Sequence, residues 1–179
     1  LRVAECKDLV FQLPEGQDGI VFSALRSLEL RGGTGAFLEA ILTRCSAPDL
    51  RSLSLSRMSW TVDITALLWR CSQTLQRLSL RDCSLRLRPA EASAVFPALT
   101  ELEASHVHFS GLSHLLAPRL RRLSLIAVSG SIALSPLLES CRDSLQHLIL
   151  SSCKEVMVSL PQGSTVLELP YVVNACVAE

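Results

Sequence analysis

The chain has 179 residues, of which 49% are hydrophobic but only 4% are aromatic, and 35 are leucine. Lysines and arginines together number 17, as do the acidic residues, so the formal net charge is zero. Nucleic-acid binders usually carry a basic excess, and a membrane-spanning helix needs about 18 apolar residues in a row. The sequence has neither feature, so we expect neither a nucleic-acid partner nor a membrane-embedded protein.

A repeat of the pattern LxxLxL organises the chain. Copies begin at Leu25, Leu50, Leu75, Leu99, Leu120 and Leu145. These copies specify 18 positions, of which 17 are leucine and one is Ala104, whereas chance would give about four leucines. A degenerate copy is expected to open the chain at Leu1, with Ala4 and Cys6 in the inner positions. Another is expected to close it, with Leu167 and Leu169 in those positions.

Each repeat predicts a short strand followed by a segment that crosses the opposite side. The leucines of LxxLxL alternate with other residues, which places them on one face of a strand. Helices are expected over 36–42, 64–70, 90–95, 111–116 and 136–140. Asp63 is a suitable N-cap, and Ser135 before Pro136 is a typical helix start. Trp60, Leu85 and Phe109 are expected to return to the core after the strands.

A single strand and helix cannot bury their own leucines, so neighbouring repeats must stack. The sequence therefore predicts an α/β fold, a leucine-rich-repeat solenoid with a parallel concave sheet and short convex helices. One domain, 1–179, would hold about six clear repeats with degenerate first and last units.

The seven cysteines follow the repeat. Cys45, Cys71 and Cys141 share one context at the end of a predicted helix, while Cys83 and Cys153 each follow a leucine triplet by three residues. Cysteines placed by a repeat are expected to be small buried apolar residues and not a disulfide framework. This pattern predicts an intracellular, reducing location, either the cytoplasm or the nucleus.

Two motifs resemble the cysteine-containing class of leucine-rich repeats, the ribonuclease-inhibitor-like solenoids found in F-box substrate receptors. The first is LxxLxLxxC, as in 75–83, and the second is LLxxCxxxL, as in 67–75. The resemblance covers nearly the whole chain. It implies protein–protein recognition, often as the substrate arm of a ubiquitin ligase.

The residues between the leucines are predicted to line the concave side, where a partner would bind. The candidate partner-binding residues are Arg77, Arg81, Glu101, Glu103, Arg122, Ile126, His147 and Ile149. Arg77, Glu101 and Arg122 alternate in sign on adjacent predicted strands. This alternation favours either a solvated network of ion pairs or a recognition patch with arginine donors.

Ile126 and Ile149 are expected to lie side by side where polar residues would be usual. An exposed apolar pair on this surface is a candidate for the centre of an interface. The alternative is that the end of the chain, around 172–177, folds over it. That apolar end could also serve as a cap or as a docking edge.

Two other motifs are interpreted as structural. His106 and His108 form an HxH motif, with His114 nearby, but no further group completes the three or four ligands that zinc needs. Segment 31–36, RGGTGA, lacks the ending of a phosphate-binding loop and is interpreted as a tight turn with Thr34 as an N-cap. We therefore expect no metal and no cofactor.

The sequence does not predict an enzyme, because no serine, histidine and acid have the spacing of a known catalytic motif. The leading hypothesis is a protein–protein interaction scaffold that binds another protein on the concave sheet, as in the substrate-recognition arm of a ubiquitin-ligase-type complex. Alternatives are a structural subunit that docks through the solenoid ends and a small-ligand receptor. We expect a monomer or one subunit of a hetero-complex.

Overall fold

The computed structural model describes residues 2–4, 20–32, 41–42, 44–58, 61–86, 94–110, 115–130, 132–153, 156–157 and 174–178. The strands in chain order are β1 (Arg2–Ala4), β2 (Ile20–Val21), β3 (Ser27–Arg31), β4 (Cys45–Ser46), β5 (Ser52–Ser56), β6 (Thr61–Asp63), β7 (Arg77–Arg86), β8 (Ala94–Val95), β9 (Glu101–Ser110), β10 (Leu115–Leu116), β11 (Arg122–Ile126), β12 (Ile132–Ala133), β13 (His147–Ser151), β14 (Val156–Met157) and β15 (Asn174–Ala178). Helices with assigned bounds are α1 (Thr65–Arg70) and α2 (Ser135–Ser140). No helix within the described residues is both long enough and apolar enough to cross a bilayer.

A nine-stranded parallel sheet forms the body of the protein. Its order is β1-β3-β5-β7-β9-β11-β13-β15, with β6 also paired to β7. Three two-stranded sheets, β2 with β4, β8 with β10 and β12 with β14, lie outside it. Parallel neighbours need a crossover connection, and α1 and α2 each lie within one. The protein is thus mixed α/β, with a parallel sheet and few helices in the part that the structure describes.

The strands pair with equal repeat positions opposite each other. Leu53 lies opposite Leu78, Leu78 opposite Leu102, and Leu102 opposite Leu123. A slip of one residue would turn every leucine of a strand to the other face. Burial of the leucines therefore fixes this register.

The repeat leucines form the core, as predicted. All 17 are buried except Leu25 and Leu150, which are partly buried and packed against the core. Leu85 and Phe109 also return to the core, each with 1% of its surface exposed. Trp60 lies outside the described residues. Since a buried leucine contributes about 1.5–3 kcal/mol, the leucines dominate the stability.

A residue with left-handed backbone ends the leucine-bearing segment at the same position of each of the six repeats. These residues are Gly32, Arg57, Asp82, His106, Ala127 and Ser152. The Arg57 amide donates to the carbonyl of Arg81 at 2.9 Å, and the Ala127 amide to that of Ser151 at 2.8 Å. The turn is thus tied to the next strand.

Two of the predicted helices are confirmed, with adjusted starts. Helix α1 spans Thr65–Arg70, so Ile64 and not Asp63 is its N-cap, although the Asp63 carboxylate accepts a hydrogen bond from the Thr65 amide at 3.0 Å. Helix α2 begins at Ser135 itself and includes Pro136, so Ser135 is the first helical residue and not the N-cap. Most of the predicted helix 36–42 lies outside the described residues.

Two helix predictions are wrong where the structure describes them. Residues 94–95 and 115–116 form the paired strands β8 and β10 in place of the ends of helices. Pro97 and Pro118 disfavour a helical conformation at the residues just before them. In addition, β9 extends to Ser110, which leaves little chain for a helix before Leu120.

The first and last units also differ from their predicted alignment. Val3 lies opposite Leu30, so the register of the opening unit is shifted by three residues from the alignment that assigned Ala4 and Cys6 to the inner positions. At the other end, Ala175 and Val177 lie opposite Leu148 and Leu150. Leu167 and Leu169 lie outside the described residues. Small and β-branched residues can occupy strand positions that need not be leucine, so leucine matching misplaces both units.

Three described cysteines are buried and free. Cys71 and Cys141 each direct their thiol to the carbonyl of the residue three before, at 3.7 Å and 3.6 Å. Burial raises the pKa of the Cys71 and Cys83 thiols to about 12 and that of Cys141 to about 11. Cys153 is free and half-buried. The prediction of buried apolar cysteines is confirmed for Cys71, Cys83 and Cys141.

These raised pKa values predict a loss of stability at alkaline pH. The ordinary thiol value is 9.0, so below about pH 9 both the folded and the unfolded state keep the proton. Between about pH 9 and 12 the unfolded state releases it first, and the free energy of unfolding falls. Urea unfolding at about pH 8 and about pH 10.5 should show a smaller fall for Cys71→Ala than for the parent, whereas Ser124→Ala, which removes no thiol, should resemble the parent. An equal fall in Cys71→Ala would contradict the assignment.

Candidate functional site on the exposed face of the sheet

One face of the sheet carries the side chains that alternate with the buried leucines. Strand β5 alternates between half-buried and buried residues, and β11 between exposed or half-buried and buried residues. We call this surface the exposed face and define it as the third, fifth and seventh repeat positions of β3, β5, β7, β9, β11 and β13. All eight candidate residues lie on it, in the row order that the sequence predicts.

An ion pair between adjacent strands lies at the centre of this face. Arg77 on β7 lies opposite Glu101 on β9, and its Nε donates to Oε2 of Glu101 at 2.6 Å. The hydrogen bond from Arg77 holds the pKa of the Glu101 carboxyl below its ordinary value, and burial opposes this effect. The pKa of Arg77 is raised by the same bond. The side chains are 57% and 28% exposed, so solvent screens the pair.

Further charges surround the pair. Arg122 lies opposite Glu101 from the other side, and its charge also lowers the pKa of Glu101. The charge of Glu103 in turn raises the pKa of Arg77. Arg81 is exposed and lies between Ser56 and Ser105 in register. The face therefore presents arginine donors beside Glu101, whose carboxylate is already bound by Arg77.

The Arg77–Glu101 pair predicts a small acid-sensitive contribution to stability. Because the folded pKa of Glu101 is lowered, the contribution is present above the ordinary value of 4.5 and is lost as pH falls through the folded value. Glu101→Gln should lower the free energy of unfolding at about pH 7 by less than about 1 kcal/mol. Urea unfolding should show this difference vanishing at about pH 3, while Ser105→Ala, an uncharged position on the same strand, should show no such pH-dependent difference. A larger deficit at acid pH would contradict the pairing.

The two isoleucines are diagonal neighbours, which corrects the prediction that they lie side by side. Ile126 lies opposite Ser151, and Ile149 lies opposite Ser124. The parallel register aligns equal repeat positions, and these residues occupy the seventh and the fifth. Diagonal neighbours are still within reach of long side chains. Ile126 is 38% exposed and Ile149 is half-buried, so they offer a small apolar area.

His147 lies at the far end of the charged row. It is half-buried and lies opposite Arg122 on one side and Asn174 of β15 on the other. Residue 174 thus continues the row that contains Arg77 and Glu101. The sheet continues through β15 beside Ile149, which lies opposite Cys176.

A groove of about 390 Å³ opens beside the left-handed residues Asp82, His106 and Ala127, and the sequence interpretation did not predict it. Its lining consists of Met58, Asp82, Cys83, Ser84, His106, Val107, His108, Ala127 and Ser129. Nδ1 of His108 lies 3.2 Å from Oγ of Ser129. The HxH motif is the sequence feature that could have indicated this groove. His106 has a left-handed backbone, and the side chains of His106 and His108 are both exposed.

The groove does not gather metal ligands among the described residues. No group of three histidine, cysteine or acidic side chains there could hold an ion, and His114 lies outside the described residues. In segment 31–36, Gly32 has a φ of 62°, as a tight turn requires, while Thr34 lies outside the described residues.

Chemically, the exposed face can donate hydrogen bonds from arginines and offer an apolar contact at the isoleucines. Seven of the eight candidates fall into a central charged group and an apolar pair near β13, and His147 lies at the end of the charged row. Comparison of the chain with models of protein families, with curated proteins and with solved structures gives no match.

Proposed function

We propose that the chain is a leucine-rich-repeat solenoid that binds another protein on the exposed face of its parallel sheet. One observation carries the proposal. The register aligns equal repeat positions over β3 to β13, so that the leucines are buried while the third, fifth and seventh positions form continuous rows on the opposite face.

Curvature of the sheet follows from the sizes of its elements. Neighbouring strands lie about 4.8 Å apart, whereas packed helices need about 8–10 Å. Helix α1 packs against β4 and helix α2 against β10 on the side of the connections, so we expect that side to be the wider one at those repeats. On this proposal the exposed face is concave, and a partner can contact several repeats at once.

The surface fits a protein better than a small molecule. The rows cross six strands, about 24 Å at the usual strand spacing, and small-ligand sites are enclosed and mostly apolar. A protein interface combines an apolar centre with a polar rim, which the isoleucines and the arginines supply. The resemblance of the repeats to those of F-box substrate receptors supports a narrower proposal, the substrate-recognition arm of a ubiquitin-ligase-type complex.

The test is affinity capture from a native extract with the parent chain and with Arg77→Glu/Arg122→Glu/Ile149→Asp. A matched control, Arg44→Glu/Arg86→Glu/Trp69→Asp, makes the same changes of charge at exposed positions away from this face. Circular dichroism melts establish that each variant folds. We expect a stoichiometric protein partner with the parent and the control, and its loss with the first variant. Recovery of the same partner with all three would contradict the proposal.

A further inference from the structure

A second row of residues borders the exposed face at the edge where its strands begin. It consists of the second repeat positions Arg26, Arg51, Gln76, Thr100, Arg121 and Gln146. From Arg51 onward, each backbone amide in the row donates to the carbonyl of the row member before it, at 2.8–2.9 Å. Examples are the Arg51 amide to Arg26 and the Gln146 amide to Arg121. The row is therefore continuous across the sheet.

Together with the adjacent third-position row, it gathers five arginines at one edge. We call Arg26, Arg51, Arg77, Arg121 and Arg122 the arginine band; all five are exposed. The two rows contain a single carboxylate, Glu101, and Arg77 holds it. Asp49 and Asp143 precede the strands, and no ion pair joins either of them to the band within the described residues. The band thus carries a local positive excess on a chain whose net charge is zero.

We propose that the arginine band binds an acidic segment of the partner protein, an inference that rests on the proposed function. From Arg26 beside β3 to Arg121 beside β11 there are four strand spacings, about 19 Å. An extended segment of about six residues spans this distance. Guanidinium groups bind carboxylates through paired hydrogen bonds, and Arg51, Arg121 and Arg122 retain donors for that purpose.

An acidic protein segment fits the surroundings better than a nucleic acid. Glu29 and Glu103 lie in the next row of the face, so a ligand that follows the band must keep its acidic groups within the two rows of arginines. Single-stranded nucleic acids also need aromatic side chains on which bases can stack, and the described rows contain no Phe, Tyr or Trp. A short acidic segment can follow the band while neutral residues of the partner contact the serines and the isoleucines.

The experiment measures the fluorescence anisotropy of a labelled peptide of about six glutamates at low salt. The parent is compared with Arg51→Glu/Arg121→Glu, which leaves the eight face residues intact, and with Arg44→Glu/Arg86→Glu as the charge-matched control. We expect the band variant to weaken binding at least about tenfold and the control less than about twofold. Binding by the parent should also weaken as salt rises from about 50 to about 200 mM.

Three results would overturn the inference. They are no peptide binding by the parent at low salt, equal binding by the band variant, and tighter binding of a single-stranded oligonucleotide of similar length at the same band. Affinity capture from the native extract distinguishes failure of the acidic-segment inference from failure of the proposed function. If Arg51→Glu/Arg121→Glu retains the partner while Arg77→Glu/Arg122→Glu/Ile149→Asp loses it, the face binds a protein but the acidic segment is wrong.

Discussion

Replacing Leu123 with alanine is expected to lower the free energy of unfolding by about 3 kcal/mol. Leu123 has no exposed surface and lies between Leu102 and Leu148 in the register. The substitution removes buried apolar surface and leaves a cavity between repeats that are held on both sides. Urea unfolding followed by circular dichroism measures the change.

Ser124→Ala is the matched control for this prediction. Ser124 is the next residue along β11 and lies on the exposed face, so its loss should change the free energy by no more than about 0.5 kcal/mol. If the two substitutions cost the same, the leucines do not form the core and the strand alternation is wrong.

Gly130→Ala is expected to destabilise the protein by about 3 kcal/mol or more. The backbone of Gly130 has a φ of 109°, which L side chains rarely adopt. An added Cβ would also clash with the carbonyl oxygen of Phe109. Backbone cannot move aside as a flexible side chain can, so the turn after β11 must shift. Thermal and urea unfolding measure the loss.

Ala127→Gly, in the same turn, should have the opposite sign. Ala127 has a φ of 50°, where glycine avoids the steric cost that an L side chain incurs. Glycine also has more freedom in the unfolded chain, so the net gain is at most about 1 kcal/mol. Gly130→Ala without effect, or Ala127→Gly as damaging as Gly130→Ala, would contradict the turn geometry.

Strand register and core could be predicted because they depend on one property of the sequence. The second and third leucines of LxxLxL lie on one face of a strand, and that face must be buried. Only one register between neighbouring strands buries the leucines of all repeats together. The order Arg77, Glu101, Arg122 follows from that register. Leu85 and Phe109 could be predicted as core residues for the same reason. Each is an apolar residue at a fixed distance from the leucines of its repeat, and the same core buries it.

Elements that depend on local backbone limits could not be predicted from leucines alone. The six left-handed residues include only one glycine, so composition gives little warning of them. Two side chains that look like ordinary loop residues join neighbouring repeats. Thr74 Oγ1 donates to the carbonyl of Leu50 at 3.0 Å, and Ser144 Oγ donates to the carbonyl of Leu120 at 2.8 Å. At the chain ends, Val3 pairs with Leu30 and Val177 pairs with Leu150, whereas matching by leucine had assigned other residues to these positions.

Details of the site depend on side-chain geometry and on backbone hydrogen bonds, which the residue pattern does not specify. Alternating charges did not indicate whether Arg77 or Arg122 would hold Glu101, since both lie opposite it, and side-chain geometry selects Arg77. Arg51 and Arg121 lie just before their strands, so strand alternation did not mark them as part of the surface. The backbone hydrogen bonds between second positions reveal that these arginines form one row.

Site-specific photo-crosslinking tests most directly whether the exposed face is the binding surface. A photoreactive amino acid would replace Ser105, on this face, or Glu139, which is exposed on α2, in the full chain within its native extract. We predict a covalent adduct with one partner protein from position 105 and none with that partner from position 139. Adducts with that partner from 139 alone would place binding on the opposite side and contradict the account.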